Sequence, residues 1–179
     1  MKKYILTLAL LATTLITLKG QNDVGFSSVP VINGKVVFEQ FIISDPSLTS
    51  SQNYIKLQKW VKEKYYGSPL LSGIRFDDKA NSVTVSAKTN LSDGVSMNYR
   101  FDASITGAGC LLVIRDVTYQ DKQRDADSFF PKINTAEQTI TDQAVNSGDS
   151  ERDYRDNLRK ATLLYINKLY AELNKQFDF

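Results

Sequence analysis

The sequence predicts an α+β fold: a single antiparallel sheet in the order β-α-β-β-β-β-α, with both helices on one face. Residues Val95–Ile105 alternate apolar and polar side chains throughout, which is typical of a strand with one buried and one wet face. Two segments, from Thr49 to about Tyr66 and from Ser150 to about Phe177, repeat apolar residues every three or four positions, as amphipathic helices do. One side of one sheet can bury all of these apolar faces.

The strands are placed by β-branched and aromatic runs between turn residues such as Asn33-Gly34 and Gly107-Ala108-Gly109. The predicted strands are Lys35–Ile43, Ile74–Asp77, Val83–Lys88, Val95–Ile105 and Cys110–Tyr119. Residues 21–34 are expected to form a polar arm, 35–119 the sheet domain, 120–149 a polar loop and 150–179 a helix packed on the domain.

The composition is that of one globular domain and limits the available chemistry. Of 179 residues, 42% are hydrophobic and 23% are charged. The absence of histidine excludes Ser-His-Asp and Cys-His hydrolases and His-ligated zinc. Cys110 is the only cysteine, which excludes an internal disulfide and a multi-cysteine metal site. We therefore predict no cofactor and no metal.

The first twenty residues have the features of a secretory signal peptide. Lys2 and Lys3 precede the uncharged run Tyr4–Leu18, and the small residue Gly20 follows, so cleavage is expected near Gly20/Gln21. As a helix the run is too short for a hydrocarbon core of about 30 Å, although an uncleaved membrane anchor is the alternative. No cysteine follows the run, so a lipoprotein is not expected. We expect an exported protein, periplasmic or extracellular, with no membrane span in its mature form.

Loss of the signal changes the charge. The chain has 22 Lys+Arg and 20 Asp+Glu, and Lys2, Lys3 and Lys19 leave with the signal, which gives a net charge of −1. A nearly neutral domain has no general attraction for nucleic acid, so we expect no nucleic-acid partner.

Two segments offer contacts outside the sheet. In the polar loop, Phe129, Phe130 and Ile133 are the expected anchors, and the alternative for Phe129 and Phe130 is an exposed aromatic contact patch. The apolar stripe of the terminal helix consists of Tyr154, Leu158, Ala161, Tyr165, Leu169 and Leu173. Because Leu164, Ile166 and Tyr170 widen this stripe, they could pack on a second copy or on another envelope protein.

Four segments can be compared with a known family: Val29–Phe38, the helix carrying Tyr54, Leu57 and Trp60, the turn Phe76–Lys79, and Met97–Phe101. Together they resemble an uncharacterised secreted domain family of Bacteroides-type bacteria with a TATA-binding-protein-like fold. The resemblance covers roughly residues 29–120, with the terminal helix as a common appendage. It implies the same element order as derived above. These motifs are structural, so the resemblance implies no catalytic residues.

Three groups of residues could carry chemistry but have plainer interpretations. Asp77 and Asp78 are adjacent, so on a strand they would point to opposite faces, and a turn accounts for them. Asp121, Asp125 and Asp127 are interspersed with Lys122 and Arg124, which favours a solvated loop over a calcium site. Cys110 begins an apolar strand and is expected to be a buried thiol. No catalytic residue and no metal ligand is predicted.

The face of the sheet that the helices leave open is the predicted binding surface. It is expected to carry Thr84, Ser86, Lys88, Asn98, Arg100 and Asp102, together with Ser96. Asn98 and Arg100 lie at its centre and offer hydrogen-bond donors to a polar ligand or to an envelope protein. The sequence thus predicts an exported, non-enzymatic binding module of the bacterial cell envelope. The alternative is a hydrolase of envelope polymers that uses carboxylate or Ser–Lys chemistry.

Overall fold

The computed structural model describes residues 25–67, 71–92, 94–122, 132–148 and 150–177. The predicted signal peptide, Phe129 and Phe130 lie outside these ranges. Within them, no helix combines the length and apolar character needed to cross a membrane.

The described chain contains eight strands and four helices, and its larger elements follow the predicted order. The strands are β1 (Val31–Ile32), β2 (Lys35–Val36), β3 (Phe38–Ile43), β4 (Leu71–Asp77), β5 (Ser82–Ser92), β6 (Val95–Ile105), β7 (Gly109–Asp121) and β8 (Asn134–Thr135). The helices are α1 (Ser50–Tyr65), α2 (Ala136–Thr139), α3 (Asp142–Val145) and α4 (Arg152–Phe177). The main sheet is antiparallel in the order β3-β7-β6-β5-β4, with β8 paired to β7. The α+β prediction is confirmed.

The predicted strand Lys35–Ile43 is divided in two. Asn33 and Gly34 both have positive φ, 51° and 76°, so they close a tight hairpin between β1 and β2. The N–H of Val37 bonds to the carbonyl of Pro30 at 3.2 Å, and β3 begins at the next residue. The segment expected as an arm therefore contributes β1.

Helices α1 and α4 cover the same face of the sheet. The rings of Trp60 on α1 and Phe101 on β6 are 5.7 Å apart, and the hydroxyl of Tyr170 on α4 donates to the carbonyl of Phe38 on β3 at 2.8 Å. An ion pair between Lys64 and Glu172 joins the two helices. The prediction that both helices lie on one face is confirmed.

Helix α1 begins at a capping box. The N–H of Gln52 donates to Thr49 Oγ1 at 3.2 Å, and the Gln52 side chain accepts from the Thr49 N–H at 2.8 Å. This arrangement satisfies two backbone donors at the end of the helix. Of the three hydroxyl residues that the sequence offered, Thr49 is the cap.

A chain of three tyrosines crosses the covered face. The Tyr99 hydroxyl shares hydrogen bonds with the hydroxyls of Tyr65, at 3.0 Å, and Tyr165, at 2.7 Å. Burial raises the pKa of Tyr65 and the pKa of Tyr99. The three hydroxyls thereby satisfy one another where α1, β6 and α4 meet.

Helix α4 docks through a face rotated from the predicted stripe. Ile166 and Tyr170, expected to be available to a partner, are buried in the core of the same chain. Thr162, which the stripe did not include, is buried beside Tyr119, with their hydroxyls 2.9 Å apart. Of the three flanking residues only Leu164 is exposed, at 73%.

The described part of the predicted loop is structured. It contributes β8, α2 and α3, whose buried anchors are Ala136, Ile140 and Val145. Ile133, predicted as an anchor, is 58% exposed. The sequence did not predict α2 and α3 because each is only four residues long, which is too short to show a 3.6-residue period.

Candidate binding surface

The six predicted site residues form three direct pairs across β5 and β6. Thr84 lies opposite Asp102, Ser86 opposite Arg100, and Lys88 opposite Asn98. All six belong to the face opposite the helices, because residues between them, such as Val85, Tyr99 and Phe101, are in the core. The alternation in the sequence therefore placed them on one surface.

Asp102 is the centre of a hydrogen-bond network on this surface. Its carboxylate accepts from Thr84 Oγ1 at 2.7 Å, from Arg100 Nε at 3.1 Å and from Arg115 Nε at 2.9 Å. Partial burial of the carboxyl opposes ionisation, but the hydrogen bonds from Thr84, Arg115 and Arg100 outweigh it and lower the pKa of Asp102. Asp102 thus holds two arginines in fixed positions.

Arg115 also belongs to this network, although the sequence did not predict it as part of the surface. It lies on β7 directly opposite Arg100, and two like charges in that relation repel unless an acid lies between them. Asp102 supplies that acid, and Asp116 makes a longer contact, 3.9 Å, with Arg115 Nη1. The period of two in residues 111, 113 and 115 indicates that Arg115 shares a face with Leu111 and Val113. It does not indicate that β7 is the strand beside β6.

The polar residues of β7 beyond Arg115 reach the open face because of a bulge. Asp116 has φ of 55°, and the register with β6 shifts between Asn98 and Arg100. After this residue Thr118 and Gln120, rather than Val117 and Tyr119, share the open face. Gln120 accepts from Lys88 Nζ at 2.9 Å, and Thr118 lies 3.5 Å from Asn98 Nδ2.

Ser96, expected in water on this face, is instead buried, at 3% exposure. It lies between Asn90 and Gln120 in the register. The hydrogen bond from Lys88 Nζ to Gln120 spans β6 between positions 96 and 98. The Ser96 Oγ has no hydrogen-bond partner.

One corner of the open face is apolar. Phe41 and Ile43 on β3 are exposed, at 46% and 58%, and Leu111 lies directly opposite Phe41. Gly109 is required beneath this corner, because a Cβ there would lie 2.1 Å from the Ile42 carbonyl oxygen and 2.9 Å from Phe41 Cζ. An apolar area beside charged groups is the usual composition of a protein interface.

The residues considered for other chemistry have structural roles. Asp77 accepts from the N–H groups of Lys79 and Ala80, and Asp78 accepts from the Tyr54 hydroxyl at 3.0 Å. Cys110 is buried, and burial raises the pKa of its thiol to about 12. Asp121 is buried and accepts from the Tyr154 hydroxyl at 3.0 Å, whereas Asp125 and Asp127 lie outside the described residues.

Two solved structures are similar to this chain. A TBP-like protein from Parabacteroides distasonis has a TM-score of 0.72 at 18% identity, over 83% of this chain and 96% of its own. A DUF4468 family protein from Bacteroides ovatus has a TM-score of 0.70 at 17% identity, over 90% of this chain and 96% of its own. No family model and no curated protein matches the sequence.

These neighbours define the class of the fold as TBP-like. They support the resemblance to an uncharacterised TBP-like domain family of Bacteroides-type bacteria. At such identities the likeness concerns the fold alone.

Proposed function

We propose that this protein is an exported, non-enzymatic binding module of the bacterial cell envelope. Its open sheet face binds a partner that carries carboxylate or phosphate groups. The observation that carries this proposal is the Arg100–Asp102–Arg115 network. Arg100 uses Nε for Asp102, while its side chain remains 41% exposed and its Nη atoms make no hydrogen bond to the described residues.

A guanidinium held in this way is prepared for an anion. Its planar donors match the two oxygens of a carboxylate or phosphate, and a fixed side chain loses less entropy on binding. Lys88 and the exposed Arg75 add positive charge to the same face, and the apolar corner at Phe41 and Ile43 supplies area for a partner larger than an ion.

Site-specific photo-crosslinking in cells of a Bacteroides-type bacterium tests the surface. A crosslinker replaces Ser86, which is exposed opposite Arg100, and the control position is Lys59 on the solvent side of α1. We expect a discrete adduct from position 86 that Arg100→Ala and added soluble phosphate or carboxylate both diminish. The same adducts from both positions, unaffected by Arg100→Ala, would contradict the proposal.

Export is tested separately. The full chain is expressed in such a host, the cells are fractionated, and the N-terminus of the protein is sequenced. We expect the protein in the periplasmic or extracellular fraction with Gln21, or a residue within about two positions of it, as the first residue. A cytoplasmic protein that retains Met1 would refute the envelope assignment and leave the binding surface to be judged by the crosslinking.

A further inference from the structure

A second polar site lies at the far end of the open face, where the β5–β6 hairpin meets the end of β7. A pocket of about 500 Å³ opens there. Its polar lining is formed by Lys88, Asn90, Ser92, Gly94, Ser96 and Lys122. The N–H of Lys122 donates to the Gly94 carbonyl at 2.9 Å, which fixes the end of β7 against the hairpin.

The described lining of this pocket carries positive charge that is not neutralised. It contains two lysines and no carboxylate. Lys88 Nζ donates to the neutral Gln120 amide and has no ion pair with a described residue. The Lys122 side chain is exposed and makes no hydrogen bond or ion pair with a described residue. Each ammonium group has three donors, so both lysines retain capacity for an acceptor.

Ser96 adds an unused donor to the same pocket. Ser96 is only 3% exposed, and its Oγ has no hydrogen-bond partner. A buried hydroxyl without a partner destabilises the folded state, and a bound acceptor removes that cost. By contrast, the Thr84 hydroxyl on the same face is paired with Asp102.

We propose that this pocket binds a compact oxyanion, a phosphate or carboxylate group, between Lys88, Lys122 and the Ser96 hydroxyl. Oxygen acceptors with negative charge satisfy all three donors at once, which neither a cation nor an apolar group can do. The inference deepens the proposed function by giving the open face a second anion subsite, but it uses none of Arg100, Asp102 or Arg115.

The test is a titration of the protein, purified from a bacterial host that expresses the full chain, followed by amide NMR shifts. Inorganic phosphate and acetate are the probes, at an ionic strength held constant with sodium chloride. We expect saturable shifts at Ser96 and Lys122, with affinity lowered roughly tenfold by Lys122→Gln and by Ser96→Ala, the loss of one charge-assisted hydrogen bond. Lys168→Gln, an exposed lysine on α4, is the matched control and should leave the affinity unchanged.

Thermal denaturation without a probe separates binding from structure. Because Ser96→Ala removes an unpaired buried hydroxyl, it should maintain or raise the Tm while it weakens binding. Saturation by phosphate alone indicates a phosphate ester, saturation by acetate alone a carboxylate, and saturation by both a general oxyanion site. Absence of saturable shifts with either probe, or affinities unchanged in both variants, would overturn this inference. The crosslink at position 86 and its dependence on Arg100 would be unaffected by that result.

Discussion

The two faces of the sheet differ in the environment of their polar side chains. On the covered face the tyrosine hydroxyls bond to one another, to Thr162 or to the backbone. Burial raises the pKa of Tyr65, Tyr99, Tyr119 and Tyr170. On the open face the charged side chains of Arg100, Asp102 and Arg115 are partly exposed, and hydrogen bonds from Thr84, Arg115 and Arg100 lower the pKa of Asp102. Tyr99 and Arg100 are neighbours in the chain yet belong to these two environments. The covered face therefore supplies stability, and the open face retains unused donors for binding.

The largest effect is expected in the middle of the covered face. Phe101→Ala removes a fully buried ring that packs against Trp60 and Tyr65, and it should lower the free energy of unfolding by about 3–5 kcal/mol. Urea denaturation measures this. Asn98→Ala on the opposite face of the same strand is the control. Equal losses from the two variants would mean that the faces do not differ as described.

A smaller loss is expected from the tyrosine chain. Tyr99→Phe keeps the ring but removes the hydroxyl that links Tyr65 and Tyr165, so the buried Tyr65 and the half-buried Tyr165 each lose a partner. We expect a loss of about 1–3 kcal/mol in the free energy of unfolding. Tyr66→Phe, an exposed tyrosine at the end of α1, should cost little. A stable Tyr99→Phe protein would show that the chain is not a stabilising network.

The dependence of stability on acidic pH should report on the hydrogen-bond network around Asp102 on the open face. The folded pKa of Asp102 lies below the ordinary value of 3.8, so its contribution to stability is present above that pH and is lost as the pH falls through the folded pKa. The difference in stability between the wild type and Asp102→Asn should therefore shrink as the pH is lowered below about 4. Denaturation midpoints measured across this range provide the test. A difference that stays constant would show that the Asp102 carboxylate contributes nothing through its ionisation.

The smallest effect on stability is expected at Arg100. Its side chain is half-exposed, and Asp102 keeps its bonds to Thr84 and Arg115 when Arg100 is removed. Arg100→Ala should change the free energy of unfolding by less than about 1 kcal/mol, as for other exposed ion pairs. A large loss in urea denaturation would make Arg100 a structural residue and remove the main support for the binding surface.

Local periodicity was sufficient for much of the fold and for part of the site. The alternation in Val95–Ile105 predicted the bounds of β6, and the same alternation put Asn98, Arg100 and Asp102 on one face. The hydroxyl residues before α1 predicted its start, because a cap and its helix are adjacent in the chain. These features depend on residues a few positions apart.

The tertiary structure decided what lies beside these residues. Arg115 joins Arg100 and Asp102 only because β7 pairs with β6, and the bulge at Asp116 then turns Thr118 and Gln120 outward. Ser96 is buried on the open face between β5 and β7, which its position in the alternation did not show, and Ile166 is buried because α4 docks at a rotation that its stripe did not specify. The period of a sequence indicates which side chains share a face. Strand neighbours, bulges and helix rotation follow instead from packing between segments that are distant in the chain. That packing brings together Arg100 and Arg115, and it brings Lys88 and Lys122 to one pocket.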